Sequence, residues 1–362
     1  MSDSSLSPLG PSNYGLLGQL IADNQTIQNR LNTLSEQASS GYIANDFGGL
    51  GSGAAIALAL ASETSQNTAI ANGLNAASTT LNVTQTILKQ ISSIASNLSS
   101  QILSASTVNT NLSVLATSAK AALQQLAGLL NTQNGSTYVF AGTDSSNPPV
   151  PNAQNIASSG FATQIATAVA GLGTNGAAVT MASIQAIASS NAPGTSPFST
   201  ALSQGTAQLQ TVPTGSGESM VIGVLANANA SQPSSGPYST GSYMRDLMAS
   251  LATIAAFAQP SVQAQANTPA FQSLLSSVQS LLNGAISGLA TDEGVLGVEQ
   301  NQISSTQSLL SDTNTVLQTQ ISNVEDVNMA ATLSNLSATQ TQLEASYKLI
   351  ASTATLSLAN YL

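Results

Sequence analysis

Residues 70–102 read IANGLNAASTTLNVTQTILKQISSIASNLSSQI. From Ile70 to Ile102, apolar or small residues recur in alternating steps of four and three positions. This spacing is typical of the inward row of a long helix that packs against another helix, and we call such a row a seam. The unbroken seam covers roughly 33 residues and predicts about 50 Å of continuous helix.

A second seam precedes this stretch. Inward residues alternate in the same way from Leu17 to Ala38, so the sequence predicts a first helix that ends at Ser39-Ser40-Gly41. Gly41 can adopt the left-handed conformation that closes many helices, and a glycine-rich loop to Gly53 follows.

Further helical segments follow in the rest of the chain. One runs from Leu112 to Leu129 and ends before the turn signal Asn134-Gly135. Helical spacing returns at Tyr243 and again after Pro269.

The C-terminal seam has two parts. From Ile303 to Ala331, apolar residues recur every seven positions. The last part is out of phase with the first near Ala331, which indicates a local change of winding or of packing partner. This last part comprises Leu333, Leu336, Gln340, Leu343, Tyr347, Ile350 and Ala354.

The centre of the chain has a different character. No charged residue lies between Asp144 and Glu218, and clusters of Pro, Gly, Ser and Asn interrupt the sequence, which indicates a separate module. The elements predicted there are strands at Ala177–Met181 and Met220–Val224 and short helices at Phe161–Leu172 and Met181–Ala188.

We therefore predict a mainly α fold, in which long terminal helices form a coiled-coil hairpin or bundle and an α+β outer module is inserted between them. The predicted domains are an N-terminal helical assembly domain (1–142), a variable outer module (143–242) and a C-terminal helical assembly domain (243–362). Because Ala, Thr, Asn and Gln occupy many seam positions, each terminal helix buries little apolar area and should depend on its neighbours for order.

Two interpretations of the seams stay open. An intramolecular bundle would bury them within one chain, whereas an assembling subunit would bury part of them against other copies. Their position at both ends of the chain favours assembly. The predicted assembly seam comprises Leu17, Leu20, Ile27, Leu31, Leu34, Leu74, Leu81, Leu88, Ile91, Leu98, Ile303, Leu310, Leu317, Val324, Leu336, Leu343 and Ile350.

Composition excludes several classes of function. Charged residues make up only 6% of the chain, and the net charge of −10 would repel nucleic acid. Cysteine, histidine and tryptophan are absent, so disulfides and catalytic or metal sites that use thiolate or imidazole are excluded. We expect no secretory signal peptide, no membrane insertion, no cofactor and no metal.

Few residues are candidates for catalysis or for binding a metal or phosphate. The carboxylate pairs Asp292-Glu293 and Glu325-Asp326 are better explained by the charge preferences of helix ends than by an acid–base or metal site. The glycine-rich run from Gly48 to Gly53 lacks the lysine and the preceding strand of a phosphate-binding loop. The sequence therefore predicts no catalytic residue.

Several short segments of the sequence resemble segments of one known protein family. Leu31–Asp46 resembles the end of the first long helix of bacterial flagellins, and Glu325–Ser346 resembles their C-terminal helix. Gly135–Thr143 and the closing Leu356–Leu362 are similar to the members of this family found at the junction between hook and filament.

This resemblance implies a secreted structural subunit of the bacterial flagellum that serves swimming motility and is not an enzyme. Its partners would be other copies of itself, neighbouring flagellar subunits and an export chaperone, and its route would be the flagellar type III apparatus. A subunit at the hook-filament junction is favoured, with a filament flagellin as the alternative. A stalked extracellular binding or adhesion module is the second alternative, and a carboxylate-only hydrolase is the most remote.

Overall fold

A computed structural model describes residues 12–107 and 111–359. The chain forms two compact units, which we call the terminal unit (Met1–Asn67 and Ser311–Leu362) and the central unit (Thr68–Leu310). The α-helices of the described residues are α1 (Ser12–Ser40), α2 (Ala54–Thr107), α3 (Leu112–Leu130), α4 (Gly160–Ala170), α5 (Leu172–Ser189), α6 (Thr200–Ser203), α7 (Tyr243–Ala255), α8 (Pro260–Gln263), α9 (Pro269–Glu325) and α10 (Met329–Ala359).

Two small antiparallel hairpins complete the secondary structure. Strands β1 (Gln133–Asn134) and β2 (Thr137–Tyr138) form one, and β3 (Gln210–Pro213) and β4 (Ser219–Ile222) form the other. The mainly α fold with long terminal helices is thus confirmed.

In the terminal unit, α1 and α10 run antiparallel and contact each other along their length. Asn24 is buried between them, and its side-chain amide donates to the Ser346 hydroxyl at 3.2 Å. The Gln28 side-chain amide donates to the side-chain oxygen of Asn24 and, at 2.8 Å, to the Tyr347 hydroxyl. These polar contacts fix the register of the pair, because a shift would leave the buried amide unpaired.

Each of the two chain segments of this unit contains a helix interruption, and the two interruptions lie side by side. The first helix ends at Ser40 as predicted, and Gly41 takes a positive φ of 80°. On the other segment, α9 ends at Glu325 and α10 begins at Met329. The phase change seen in the sequence near Ala331 thus lies beside a break between two helices.

A backbone clamp joins the two breaks. The amide of Ile43 donates to the Glu325 carbonyl at 2.7 Å, and the amide of Val327 donates to the Gly41 carbonyl at 2.9 Å. In place of an open glycine loop, residues Phe47–Gly53 form short 3₁₀ turns that Asp46 caps by accepting from the Gly49 amide.

The central unit is built around α7. Every residue of α7 from Tyr243 to Ile254 is buried, and α3, α4 and α5 pack against it. Within this unit, α2 and α9 are joined by side-chain amides, as where Gln279 donates to the Ser99 hydroxyl at 2.6 Å. A filled apolar core therefore holds this part of the chain.

The predicted elements of the inserted segment are confirmed in part. The strand at Met220–Val224 corresponds to β4, and the helix at Phe161–Leu172 corresponds to α4. The strand predicted at Ala177–Met181 is wrong, because these residues lie in α5. Residues 180, 181, 184 and 188 of α5 are buried, so packing with helical spacing overrides the β preference of Val and Thr.

The entry into this segment is tightly built. Gly135 takes φ 64° in the turn between β1 and β2, and the ring of Phe140 is fully buried. Gly142 also has a positive φ, and a Cβ there would collide with the Gln208 carbonyl. Only glycine fits such a position without strain.

Candidate assembly surface

The seam divides into two classes by burial. Its central-unit members are all buried, so they are used within the chain. For these residues, the burial agrees with the interpretation in which the seams are buried within one chain. These residues are Leu74, Leu81, Leu88, Ile91, Leu98, Ile303 and Leu310.

The terminal-unit members are covered less completely. Leu34 and Leu317 are buried, whereas the side chain of Leu17 lies outside the described residues. The others are only half-buried in one chain, which leaves part of each surface for further contacts. They are Leu20, Ile27, Leu31, Val324, Leu336, Leu343 and Ile350.

The inward row of α10 differs from the row predicted for it. Thr332 and Thr339 are buried, and together with the half-buried Leu336 and Leu343 they form the face toward α1. The prediction that Leu333 and Gln340 point inward is wrong, because both are exposed. Tyr347 lies at the edge of the pair, where it is 50% exposed while its hydroxyl accepts from Gln28 of α1. Helix α10 thus mixes threonines with leucines on its inward face and leaves Leu333 and Tyr347 largely exposed.

Exposed apolar side chains concentrate in the terminal unit. Leu333 and Tyr347 are 51% and 50% exposed, and Ile21 on α1 is 53% exposed. Ile56 and Leu58, near the start of α2, are exposed to a similar extent. Single exposed apolar side chains are common in monomers, but their number in this one unit favours contact with a partner.

Ile21, Ile56 and Leu58 were not among the contact residues predicted from the sequence. A usable signal existed, since Ile21 directly follows the seam residue Leu20 and therefore cannot share its face. Apolar residues beside a seam position thus indicate a second, outward apolar face.

The paired carboxylates do not form a catalytic site. Asp292 is fully buried in the middle of α9 and accepts hydrogen bonds from the amides of Ala230 and Ser231 at 2.7 and 3.2 Å and from the Ser231 hydroxyl at 2.7 Å. Burial raises the pKa of neighbouring Glu293, and nearby Lys89 opposes this shift. These three donors come from one loop, so the Asp292 carboxylate anchors that loop to α9.

Two further perturbed ionisable groups, Tyr243 and Asp246, lie on α7. Burial raises the pKa of Asp246, although hydrogen bonds from Ser239 and Thr240 oppose the shift. Burial also raises the pKa of the Tyr243 hydroxyl well above its ordinary value, with the charge of Asp292 adding to the effect. Each of these groups is enclosed in the core of the central unit, which indicates a structural role.

Two family models match the chain. The bacterial flagellin N-terminal helical region matches residues 14–145, and the bacterial flagellin C-terminal helical region matches residues 279–362. Together they cover more than half of the sequence. The comparison with curated proteins returned no match.

The chain belongs to the bacterial flagellin family. It is a structural subunit of the flagellum, exported to form that extracellular organelle, and it is not an enzyme. Members of the family assemble with one another and with other flagellar subunits. Within the part of the chain that the structure describes, no helix is long and apolar enough to cross a bilayer.

Proposed function

We propose that this subunit forms the junction between hook and filament and that its terminal unit makes the contacts between subunits. The observation that carries the second part is the outer face of α10, where Leu333 and Tyr347 are exposed while Thr332 and Thr339 are buried on the opposite face. A helix that exposes its large apolar side chains gains free energy when another helix covers them.

The proposed division of labour follows the predicted domains. Residues 1–142 and 243–362 would supply the assembly domains, and residues 143–242 would form the module that faces solvent. The assembly seam would have two roles. Its central-unit members would hold one chain together, and its half-buried terminal-unit members would also contact neighbouring copies.

An export chaperone and the flagellar type III apparatus complete the proposal. Side chains such as Ile21 and Leu333 would be exposed during transport, and a chaperone that covers them would prevent early association. The thin core of the terminal unit is compatible with passage as an unfolded chain, because little stability has to be overcome.

Substitution of exposed apolar residues tests the assembly contacts. Ile21→Gln and Leu333→Gln should each remove about 1 kcal/mol of apolar burial per contact between subunits, while leaving the monomer within about 0.5 kcal/mol of its original stability. The matched control is Val179→Gln, a similarly exposed helical residue of the inserted module.

The measurement is the number of flagella on cells that express each variant. The proposal expects fewer flagella with Ile21→Gln and Leu333→Gln and unchanged numbers with Val179→Gln. Equal numbers for all three would show that this apolar face makes no contact between subunits.

Localisation distinguishes the junction from the filament. A short peptide tag inserted at the exposed Ser216, in the turn between β3 and β4, should be tolerated because it lies at a hairpin tip. Gold-labelled antibody against the tag should mark a single band between hook and filament. Labelling along the whole filament would identify a filament flagellin instead.

A further inference from the structure

The sequence contains four Asn-Gly pairs, and the structure places them in different surroundings. Because glycine has no Cβ to shield its amide nitrogen, this nitrogen can attack the side-chain amide of the preceding asparagine and form a cyclic succinimide. The attack needs a rotation of the peptide between the two residues, which a rigid backbone prevents. The pairs are Asn72-Gly73 in α2, Asn134-Gly135 at the end of β1, Asn175-Gly176 in α5 and Asn283-Gly284 in α9.

Three of the pairs lie inside helices. Two are in the interior of α2 and α9, helices of 54 and 57 residues, where the peptide can rotate only if the helix opens around it. The pair in α5 is the nearest rival, since Gly176 departs from helical geometry with φ 73°. Asn175 is still tied into a turn, because its amide donates to the Gly171 carbonyl at 2.9 Å. Helical bonding therefore restrains these three pairs.

The pair Asn134-Gly135 lies at an exposed hairpin turn. Strands β1 and β2 are joined by only two residue pairs, and so short a hairpin opens at little cost in free energy. Gly135 is exposed, and its amide donates no hydrogen bond to any residue that the structure describes. The attacking nitrogen is therefore in contact with water, which can remove its proton.

Two threonine hydroxyls contact the reacting groups. Thr137 donates to the backbone carbonyl of Asn134 at 3.0 Å, and this bond draws electrons from the peptide group that contains the Gly135 nitrogen, which eases loss of its proton. Thr80 of α2 accepts from the Asn134 side-chain nitrogen at 3.0 Å and holds the side-chain amide in place. The first contact assists the attack, whereas the second opposes the movement that the attack requires.

We propose that Asn134 converts spontaneously to aspartate and isoaspartate through a succinimide formed with Gly135. The Gly135 nitrogen gives its proton to hydroxide and forms a bond to the Asn134 Cγ, while the side-chain nitrogen takes a proton from water and leaves as ammonia. Water then opens the ring at either carbonyl. The reaction needs no reagent besides water and does not depend on the proposed junction role.

The product changes the hairpin. Opening at one carbonyl leaves a carboxylate in place of the amide that donates to Thr80, and opening at the other inserts a methylene into the main chain, which shifts β1 against β2. The hairpin leads directly to the buried Phe140 at the entry into the inserted segment. The conversion therefore loosens this entry and adds a negative charge to a chain whose net charge is −10.

Incubation of the purified full-length protein in mildly alkaline buffer, followed by proteolysis and mass spectrometry of the peptides, tests the proposal. Enzymatic methylation of isoaspartate distinguishes it from aspartate. We expect the mass gain of deamidation and the isoaspartate signal at residue 134, and neither in the peptides that carry the other three pairs. In urea, all four pairs should react at similar rates, because no helix restrains them.

Two matched threonine variants test the contact with α2. Thr80→Val removes the acceptor and should speed the reaction at Asn134 about fivefold, the effect of one neutral hydrogen bond. Thr79→Val, at the exposed preceding position where the hydroxyl donates to the Asn75 carbonyl, should leave the rate unchanged. The proposal is overturned if residue 134 of the folded protein stays intact while the pairs react in urea, if another pair reacts faster in the folded protein, or if both variants react at one rate.

Discussion

Asp292 is held by three hydrogen bonds, as many as Asp246 accepts. It is fully buried, and its oxygens hold the amides of Ala230 and Ser231 and the Ser231 hydroxyl. Hydrogen bonds to a charged group contribute more than neutral ones, and their loss leaves buried donors without partners. This one side chain therefore connects α9 to the loop that precedes α7.

We expect Asp292→Ala to lower the free energy of unfolding by about 2–4 kcal/mol, because buried donors are left unpaired. Urea denaturation followed by circular dichroism measures the change. Asp312→Ala, at an exposed position of the same helix, serves as the control and should stay within about 0.5 kcal/mol. Similar effects of both substitutions would argue against the anchor.

The stability of the central unit should depend on pH in a defined direction. Burial raises the pKa values of Asp246, Glu293 and Glu299 above the ordinary values of 3.8 for Asp and 4.5 for Glu. The folded state then binds more protons than the unfolded state between the raised and the ordinary values. The free energy of unfolding should therefore rise as pH falls from neutral and level off below the ordinary values.

Glu299→Gln isolates one contribution to this slope. Glu299 accepts from the Gly223 amide at 3.1 Å, and glutamine keeps an acceptor while removing the charge. We expect the variant to be more stable than the original near neutral pH and to show a flatter dependence on pH in thermal melts. Glu218→Gln, exposed in the same unit, should leave the slope unchanged, so equal slopes in all three proteins would refute this account.

The roles of single residues were the hardest to predict from the sequence. The pair Asp292-Glu293 was expected to reflect the charge preferences of helix ends, yet Asp292 lies in mid-helix and binds a loop about sixty positions away in sequence. No role was predicted for Arg245, although it is buried and donates to the Ala188 carbonyl and to the Asn191 side-chain oxygen. Neither role has a local pattern, since both depend on contacts made by distant segments.

At the scale of elements, the clamp between the two helix breaks depends on Gly41. Its φ of 80° is a conformation that costs other residues about 1–2 kcal/mol. Gly41→Ala should therefore speed amide exchange of Ile43 and Val327, whose amides form the clamp, by about tenfold. The measurement is hydrogen exchange on the assembled protein.

Replacing a glycine inside a helix by alanine should instead stabilise the protein. Gly294 is exposed within α9 and has no neighbour within reach of an added Cβ. We expect Gly294→Ala to stabilise the protein by about 0.5–1 kcal/mol, because alanine restricts the unfolded chain and favours helix. If both alanine variants shift exchange in the same direction, the conformational argument for Gly41 is wrong.

The bounds of helices were predictable where the apolar spacing was regular and a helix-breaking residue was present. The end of α1 beside Gly41, the span of α3 and the start of α7 were all predictable. The predictions for Ala177–Met181 and for the inward face of α10 were wrong. In both places the sequence offers apolar residues on more than one face, and tertiary packing decides which face is buried.

At the scale of the molecule, the two units differ in how their cores are filled. The central unit surrounds α7 with apolar side chains, whereas the terminal unit buries Asn24, Thr332 and Thr339 beside few apolar groups. Its larger apolar residues remain half-buried or exposed. Such a helix pair is marginal alone and gains its stability when other subunits cover it.

The stalked binding module makes a different prediction for the same sequence. It requires terminal helices that are stable in the isolated chain, because a stalk must stay ordered without neighbours. The two accounts therefore disagree about the free monomer and not about the assembled state.

Amide hydrogen exchange of the purified monomer and of the assembled form is the most direct test of coupled folding and assembly. We predict that α1 and α10 exchange rapidly in the monomer and become protected on assembly, while the buried α7 stays protected in both forms as an internal reference. If α1 and α10 of the monomer are already as protected as α7, the terminal unit is stable by itself, and the account of folding coupled to assembly is contradicted.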